Sequence, residues 1–320
     1  MLAVISGAYI FSSYRPHSPI TFVLLAISSI VALLSLSNGV LFLVVILICY
    51  FIEVIYSSNK NRWIYLITWM IFMIGSISIY LIDYLKPGHH PSLIQFLEDP
   101  ISFIGYVFAY VGAPVAYENR FIAVLFGGIG IILFGVIIII QKTYTINVKR
   151  HIWYFFFIIA TYSLLSAVLT AIGRAGLGIM QAMASRYATI SIYFWISLLM
   201  MLYFFLKGGI YESKDSVKLR NIIIIFSTVL FISLNLTAIR SFSYIRRNYN
   251  QKICAVDTIL SESFNDCLKF IYPNPQRLFN KDAIPFLKEM NLSFYRDAEN
   301  IELPDLNLNR ISNSESTPKP

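Results

Sequence analysis

The sequence predicts an all-α integral membrane bundle with about seven transmembrane helices, one re-entrant or interfacial half-helix and a small extracytoplasmic C-terminal tail. Three observations carry that expectation. Hydrophobic residues fill 57% of the 320 positions and charged residues only 13%, against about a quarter charged in an ordinary soluble domain. Seven apolar runs reach or approach the roughly 20 residues that a bilayer core demands of a helix. The Lys and Arg residues lie in short clusters between those runs, so the net charge of +8 serves membrane orientation and no nucleic-acid-binding face is expected.

The runs cover approximately residues 20–37, 40–56, 63–82, 121–141, 152–172, 188–206 and 221–239. Only Ser37-Asn38-Gly39 separates the first two, a turn signature that predicts a tight helical hairpin. Residues 1–13 are apolar but too short to span, and Arg15, Pro16 and His17 follow them. They read as an interfacial piece or as the end of an earlier helix. No basic region precedes Met1-Leu2-Ala3-Val4-Ile5 and no small-residue cleavage site follows, so a cleaved signal peptide is not expected.

Lys60 with Arg62, Lys142 with Lys149 and Arg150, and Lys207 with Lys214, Lys218 and Arg220 mark three loops expected in the cytoplasm. A full crossing by residues 101–117 would send the last two of these outside. That run is about 16 residues long, roughly 24 Å as a helix, and contains Gly105, Gly112 and Pro114. A broken half-helix that faces protein or a wet cavity resolves the conflict. The N-terminus is then cytoplasmic. The loop from Asp83 to Pro100, the connection from Gly173 to Tyr187 and the C-terminus are extracytoplasmic. Three regions follow: a transmembrane domain over 1–239, an extracytoplasmic helical tail over 240–303, and a disordered end over 304–320, rich in Asn, Ser and Pro. A Cys254–Cys267 disulfide would require the chain to turn back, because one continuous helix would hold the two roughly 20 Å apart.

Ionisable groups are scarce inside the runs. Glu53 is read as an end-of-helix carboxylate able to reach water or Lys60. The scarcity argues against an ion-coupled transporter, which places acids, His or Arg at membrane depth. Polar chemistry concentrates instead in the connection Gly173-Arg174-Ala175-Gly176-Leu177-Gly178 through Ser185-Arg186-Tyr187. There Gly173, Gly176 and Gly178 free the backbone to approach a ligand, and Arg186 stands at the start of the next helix. Guanidinium groups and a helix N-terminus together bind anions. The structural alternative is that both arginines are interfacial anchors. A second cluster, Asp83 with His89 and His90 and then Glu98-Asp99-Pro100, offers a general base or ligands for a divalent cation. Against that, Asp99 before Pro100 has the form of a helix N-cap, and adjacent histidines without a third ligand make a poor zinc site.

Leu34-Ser35-Leu36-Ser37-Asn38-Gly39, Tyr84 through Pro91, Tyr110-Val111-Gly112-Ala113-Pro114, the glycine-arginine connection, and Leu268-Lys269-Phe270-Ile271-Tyr272-Pro273 follow one another in an order that resembles a group of bacterial polytopic membrane proteins. Their layout is similar to the GT-C glycosyltransferases, which use polyprenyl-phosphate sugars. In those enzymes the defining acid lies in the first extracytoplasmic loop, and this sequence looks as if it begins beyond it. Hence no catalytic acid is carried over. Asp83, Glu98 or Asp99 substitutes, or the chain is a truncated relative without transferase activity.

The resemblance implies a multi-pass protein of the bacterial inner (plasma) membrane that acts on a polyprenyl-phosphate-linked sugar in cell-envelope glycan modification. Arg174 and Arg186 would hold phosphate beside Gly176, Gly178 and Tyr187, with Asp83, His89, His90, Glu98 and Asp99 near the reacting group. The alternative is a non-enzymatic membrane component, either a lipid-intermediate translocator or a scaffold for a partner subunit.

Overall fold

The computed structural model describes residues 1–35, 37–56, 61–82, 99–116, 119–144, 150–209, 221, 224–225, 227–240, 242, 249 and 253–256. The chain divides into two compact units, Met1–Thr237 and Ala238–Pro320. In the second, Cys254 is disulfide-bonded. Cys267, most of 240–303 and all of 304–320 lie outside the described residues. Cys49, in the first unit, is a buried free thiol.

Every described element is helical. In order they are α1 (Leu2–Ser13), α2 (Pro19–Ser35), a 3₁₀ turn (Ser37–Gly39), α3 (Val40–Ile55), α4 (Asn61–Tyr80), α5 (Pro100–Ala116), α6 (Arg120–Tyr144) and α7 (Arg150–Arg174). Two 3₁₀ turns, Ala175–Leu177 and Ile179–Met183, then lead into α8 (Ser185–Gly209), and α9 is Ser227–Arg240. Each of the seven apolar runs falls on a helix.

Among the described residues four segments are long and apolar enough to cross a membrane: Arg62–Tyr80, Arg120–Ile139, His151–Arg174 and Ser185–Phe204. The surface of α4 shows why such a chain needs lipid as its solvent. Ile64, Ile67, Met70, Ile71, Ile74 and Ile79 are all exposed on it, an apolar face that water would drive into aggregation.

Helix α1 packs into the bundle. Val4, Gly7, Ala8 and Phe11 are buried, the spacing of one helical face. The Phe11 ring stands 5.4 Å from that of Tyr50 on α3 and 5.4 Å from that of Tyr154 on α7. On α4, Trp69 donates from Nε1 to the Leu43 carbonyl at 3.0 Å, which ties α4 to α3.

Two expectations are corrected here. Glu53 does not reach water: it is 2% exposed. Helix α4 folds back on the last turn of α3, so Arg62 donates from Nη1 to Glu53 Oε2 at 2.7 Å and to the Glu53 carbonyl at 3.2 Å. His17 Nε2 lies 3.7 Å from the same carboxylate oxygen, and Lys60 lies outside the described residues.

The second correction is that the backbone does not break at Gly105, Gly112 or Pro114; α5 runs unbroken from Pro100 to Ala116. Proline removes the N–H that the carbonyl four residues earlier would accept, which here is the Tyr110 carbonyl. The hydroxyl of Ser191 on α8 donates to it at 2.6 Å. Beside it, Trp195 Nε1 donates to the Val111 carbonyl at 2.8 Å, and Ser233 on α9 to the Val115 carbonyl at 2.7 Å. These distant donors stabilise a helix that its own backbone cannot complete. From Ala109 to Ala116 every residue of α5 is buried, so this helix is central to the unit.

Glycine lets α6 lie directly on α5. A Cβ at Gly112 would collide with the Ala123 carbonyl oxygen, and one at Gly127 with the Phe108 carbonyl oxygen. Such small-residue contacts are how helices associate closely where no hydrophobic drive separates lipid from protein.

Candidate anion site at the connector

The connection from α7 to α8 is more ordered than a glycine loop. Helix α7 runs through Gly173 to Arg174, and of Gly173, Gly176 and Gly178 only Gly178 uses the freedom of its residue type, at φ +94°. That left-handed backbone lets the chain pass from one 3₁₀ turn to the next. Ala182 is buried, and Ile179 of the second turn packs on Gly105 of α5, where an added Cβ would stand 3.2 Å from its Cδ1. The connector is thus seated on α5.

Arg174, half-buried, is in the last turn of α7, while Arg186, exposed, is in the first turn of α8. The two positions differ electrostatically. A cation at a helix C-terminus is favoured by the dipole, and one at an N-terminus opposes it. Arg174 therefore has a local structural reason to be where it is. Arg186 has none from its helix; its guanidinium carbon stands 5.0 Å from the Tyr187 ring centroid, a contact that orients the group without neutralising it.

Both arginines lie within electrostatic range of the Tyr106 hydroxyl on α5, as does Tyr187. One turn along α5, the ring of Tyr110 sits 5.1 Å from that of Tyr187. Tyr106 and Tyr110 are fully buried and Tyr187 is 8% exposed. Among the described residues none of the three hydroxyls makes a hydrogen bond of good geometry, although Tyr187 lies near the Tyr106 hydroxyl and Thr170 near that of Tyr110. A buried hydroxyl left so costs roughly 1–3 kcal/mol, a penalty a ligand oxygen or water would relieve.

Of the predicted set, Tyr187, Arg174 and Arg186 all lie within electrostatic range of one hydroxyl, that of Tyr106, and Gly178 turns the chain between the two arginines. Gly176 is exposed in the first 3₁₀ turn. Sequence reading missed Tyr106 and Tyr110; their i, i+4 spacing in an otherwise apolar run was the available signal. Asp83, His89, His90 and Glu98 lie outside the described residues.

Asp99 caps α5, its carboxylate accepting from the Ser102 N–H at 3.0 Å. The Ser102 side chain and then its backbone N–H hold the Asp99 carboxyl below its ordinary range. The sign follows: the cap contributes above the ordinary aspartate pKa and is lost as pH falls through the lower, folded one. Protection of the Ser102 amide, its exchange taken relative to the unstructured rate at each pH, is expected to fall below about pH 4 in the native chain and to change little with pH in Asp99→Asn. Equal pH dependence in both would show that Asp99 is not the cap in solution.

Among the described residues no three His, Cys, Asp or Glu side chains gather as a metal site. No protein-family model matches the chain, and no curated protein or solved structure matches it.

Proposed function

We propose that the protein is a helical membrane protein that holds the phosphate of a lipid-linked intermediate at the connector, gripped by Arg174 and Arg186 with the hydroxyls of Tyr106 and Tyr187. The observation that carries this reading is Arg186: a cation on the disfavoured end of α8, within electrostatic range of the buried Tyr106 hydroxyl, which makes no hydrogen bond of good geometry among the described residues. Guanidinium groups grip phosphate bidentately and phenol hydroxyls donate to its remaining oxygens. In this reading the site belongs to the extracytoplasmic side of a bacterial inner membrane. The reaction implied by the GT-C-like order of motifs is glycosyl transfer from a polyprenyl-phosphate sugar, its base supplied by Asp83, His89, His90 or Glu98. Asp99 is committed to capping α5.

The test is binding of a short-chain prenyl phosphate to the full chain in lipid nanodiscs. Arg174→Gln and Arg186→Gln are each expected to weaken binding by at least about tenfold, the value of one charge-assisted contact. The phosphate-free prenol is expected not to compete. Wild-type affinity in both variants would overturn the reading. A second arm separates enzyme from carrier: Asp83→Asn and Glu98→Gln should abolish glycan modification while keeping phosphate-lipid affinity. Glycan unchanged in both, and in substitutions of His89 and His90, would leave a translocator or scaffold.

A further inference from the structure

The ends of α1 and α3 and the starts of α2, α4 and α7 meet at the end of the first unit remote from the connector. Tyr50 of α3 donates to the Pro16 carbonyl in the α1–α2 turn at 3.0 Å, Arg62 in the first turn of α4 reaches Glu53 on α3, and Phe11 of α1 touches Tyr154 near the start of α7. From Tyr154 to Arg174, α7 rises roughly 30 Å, the thickness of the hydrocarbon core of a bilayer. In a membrane this end and the connector therefore face opposite leaflets. Tyr56 and Trp63 are exposed here, the aromatic residues that favour headgroup level.

Arg62 is held at this end without being used up. Its Nη1 serves Glu53, while Nε and Nη2 make no hydrogen bond among the described residues and are not sealed from the surface, in a side chain that is 25% exposed. Nε and Nη2 form one edge of the guanidinium, the fork that takes two oxygens of a phosphate. Because Glu53 already fixes the group, little side-chain freedom is left to lose on binding. Glu53 also neutralises it, so the net charge comes from Arg15, exposed in the α1–α2 turn. Arg15 stands close in sequence to His17, whose Nε2 lies 3.7 Å from the carboxylate oxygen that Arg62 grips. Beyond Arg62, the exposed Ile64, Ile67, Ile71 and Ile74 form one stripe down α4.

We infer that the free edge of Arg62, together with Arg15, docks the phosphate of an anionic phospholipid in the leaflet opposite the connector, with an acyl chain along the isoleucine stripe of α4. Arg62 supplies the geometry and Arg15 the preference for a headgroup of net negative charge. The start of α4 adds the positive potential of its helix dipole. The inference does not rest on what the connector binds.

Brominated phosphatidylglycerol titrated into the full chain in a neutral detergent tests the site, read as quenching of tryptophan fluorescence. Trp63 is 52% exposed next to Arg62 whereas Trp69 and Trp195 are sealed, so most of the saturable quenching is expected to vanish in Trp63→Phe. Brominated phosphatidylcholine should bind at least about fivefold more weakly, the worth of one basic residue near an anionic headgroup. Arg15→Gln should weaken phosphatidylglycerol binding by a similar factor. Arg62→Lys, whose ammonium is taken up by Glu53 and offers no fork, should weaken it at least about tenfold. Arg62→Lys keeps the pair with Glu53 and Arg15→Gln leaves it untouched, so both variants retain the packing of α3 and α4. Quenching that persists in Trp63→Phe would put the lipid elsewhere and overturn the inference. Equal affinity for the two lipids, or the parent's affinity in either arginine variant, would overturn it as well. None of these outcomes alters the prenyl-phosphate measurement at the connector.

Discussion

Replacing Arg62 with alanine is expected to cost on the order of 3 kcal/mol of stability, read as a loss in thermal unfolding of the detergent-solubilised protein. Glu53 is 2% exposed and its carboxylate takes a 2.7 Å hydrogen bond from Arg62. Removing one partner of a buried pair costs about 3–5 kcal/mol. The 25% exposure of the Arg62 side chain places the loss at the lower end. His17 also lies 3.7 Å from the Glu53 carboxylate, its ring 5.8 Å from that of Tyr50 and 5.4 Å from that of Tyr65.

The pair is also removable. Glu53→Gln in the Arg62→Ala background should recover a large part of the loss, because the buried charge is then gone. A double variant no more stable than Arg62→Ala would mean that Arg62 acts mainly by holding the end of α3 through the Glu53 carbonyl, to which it also donates.

Gly127→Ala is expected to be comparably damaging, on the order of 3 kcal/mol, although it adds one methyl group. Overpacking ordinarily costs about 1–3 kcal/mol because side chains move aside. At Gly127 the obstacle is the Phe108 carbonyl, with the Gly112 nitrogen behind it at 3.0 Å. Backbone in a buried helix does not move aside, so α5 and α6 must separate. The control lies on the same helix: a Cβ at Gly135 meets nothing within 4 Å. There alanine should be neutral or stabilising by up to about 1 kcal/mol through helix propensity. Two Gly→Ala changes eight residues apart on α6 are thus expected to have opposite signs. Equal, small effects at both would show that the α5–α6 contact is looser than described.

The apolar runs located the helices because each reports a local property, the transfer of side chains from water to lipid. What failed to show was whatever depended on partners far along the chain. Gly105, Gly112 and Pro114 looked like a break in residues 101–117, since a proline inside a short helix ordinarily ends it. The helix persists because Ser191, Trp195 and Ser233 supply donors from α8 and α9, and nothing local to Pro114 announces them.

Glu53 was read as able to reach water or Lys60, and its pairing with Arg62 failed to show for a similar reason. Its spacing to Arg62 says little until α4 turns back on α3. The arginine connector, in contrast, was legible because its polarity interrupts an apolar chain. The tyrosines beside it were not: Tyr106 and Tyr110 are ordinary residues of an apolar helix until packing sets them against Tyr187.

Coupling between Arg186 and Tyr106 tests the connector site most directly. With prenyl phosphate as ligand, Arg186→Gln, Tyr106→Phe and the double variant form a cycle. If guanidinium and hydroxyl grip one phosphate, the losses are non-additive by about 1 kcal/mol or more. Strictly additive losses, or a Tyr106→Phe variant that binds like the parent, would mean that the two groups serve no common ligand.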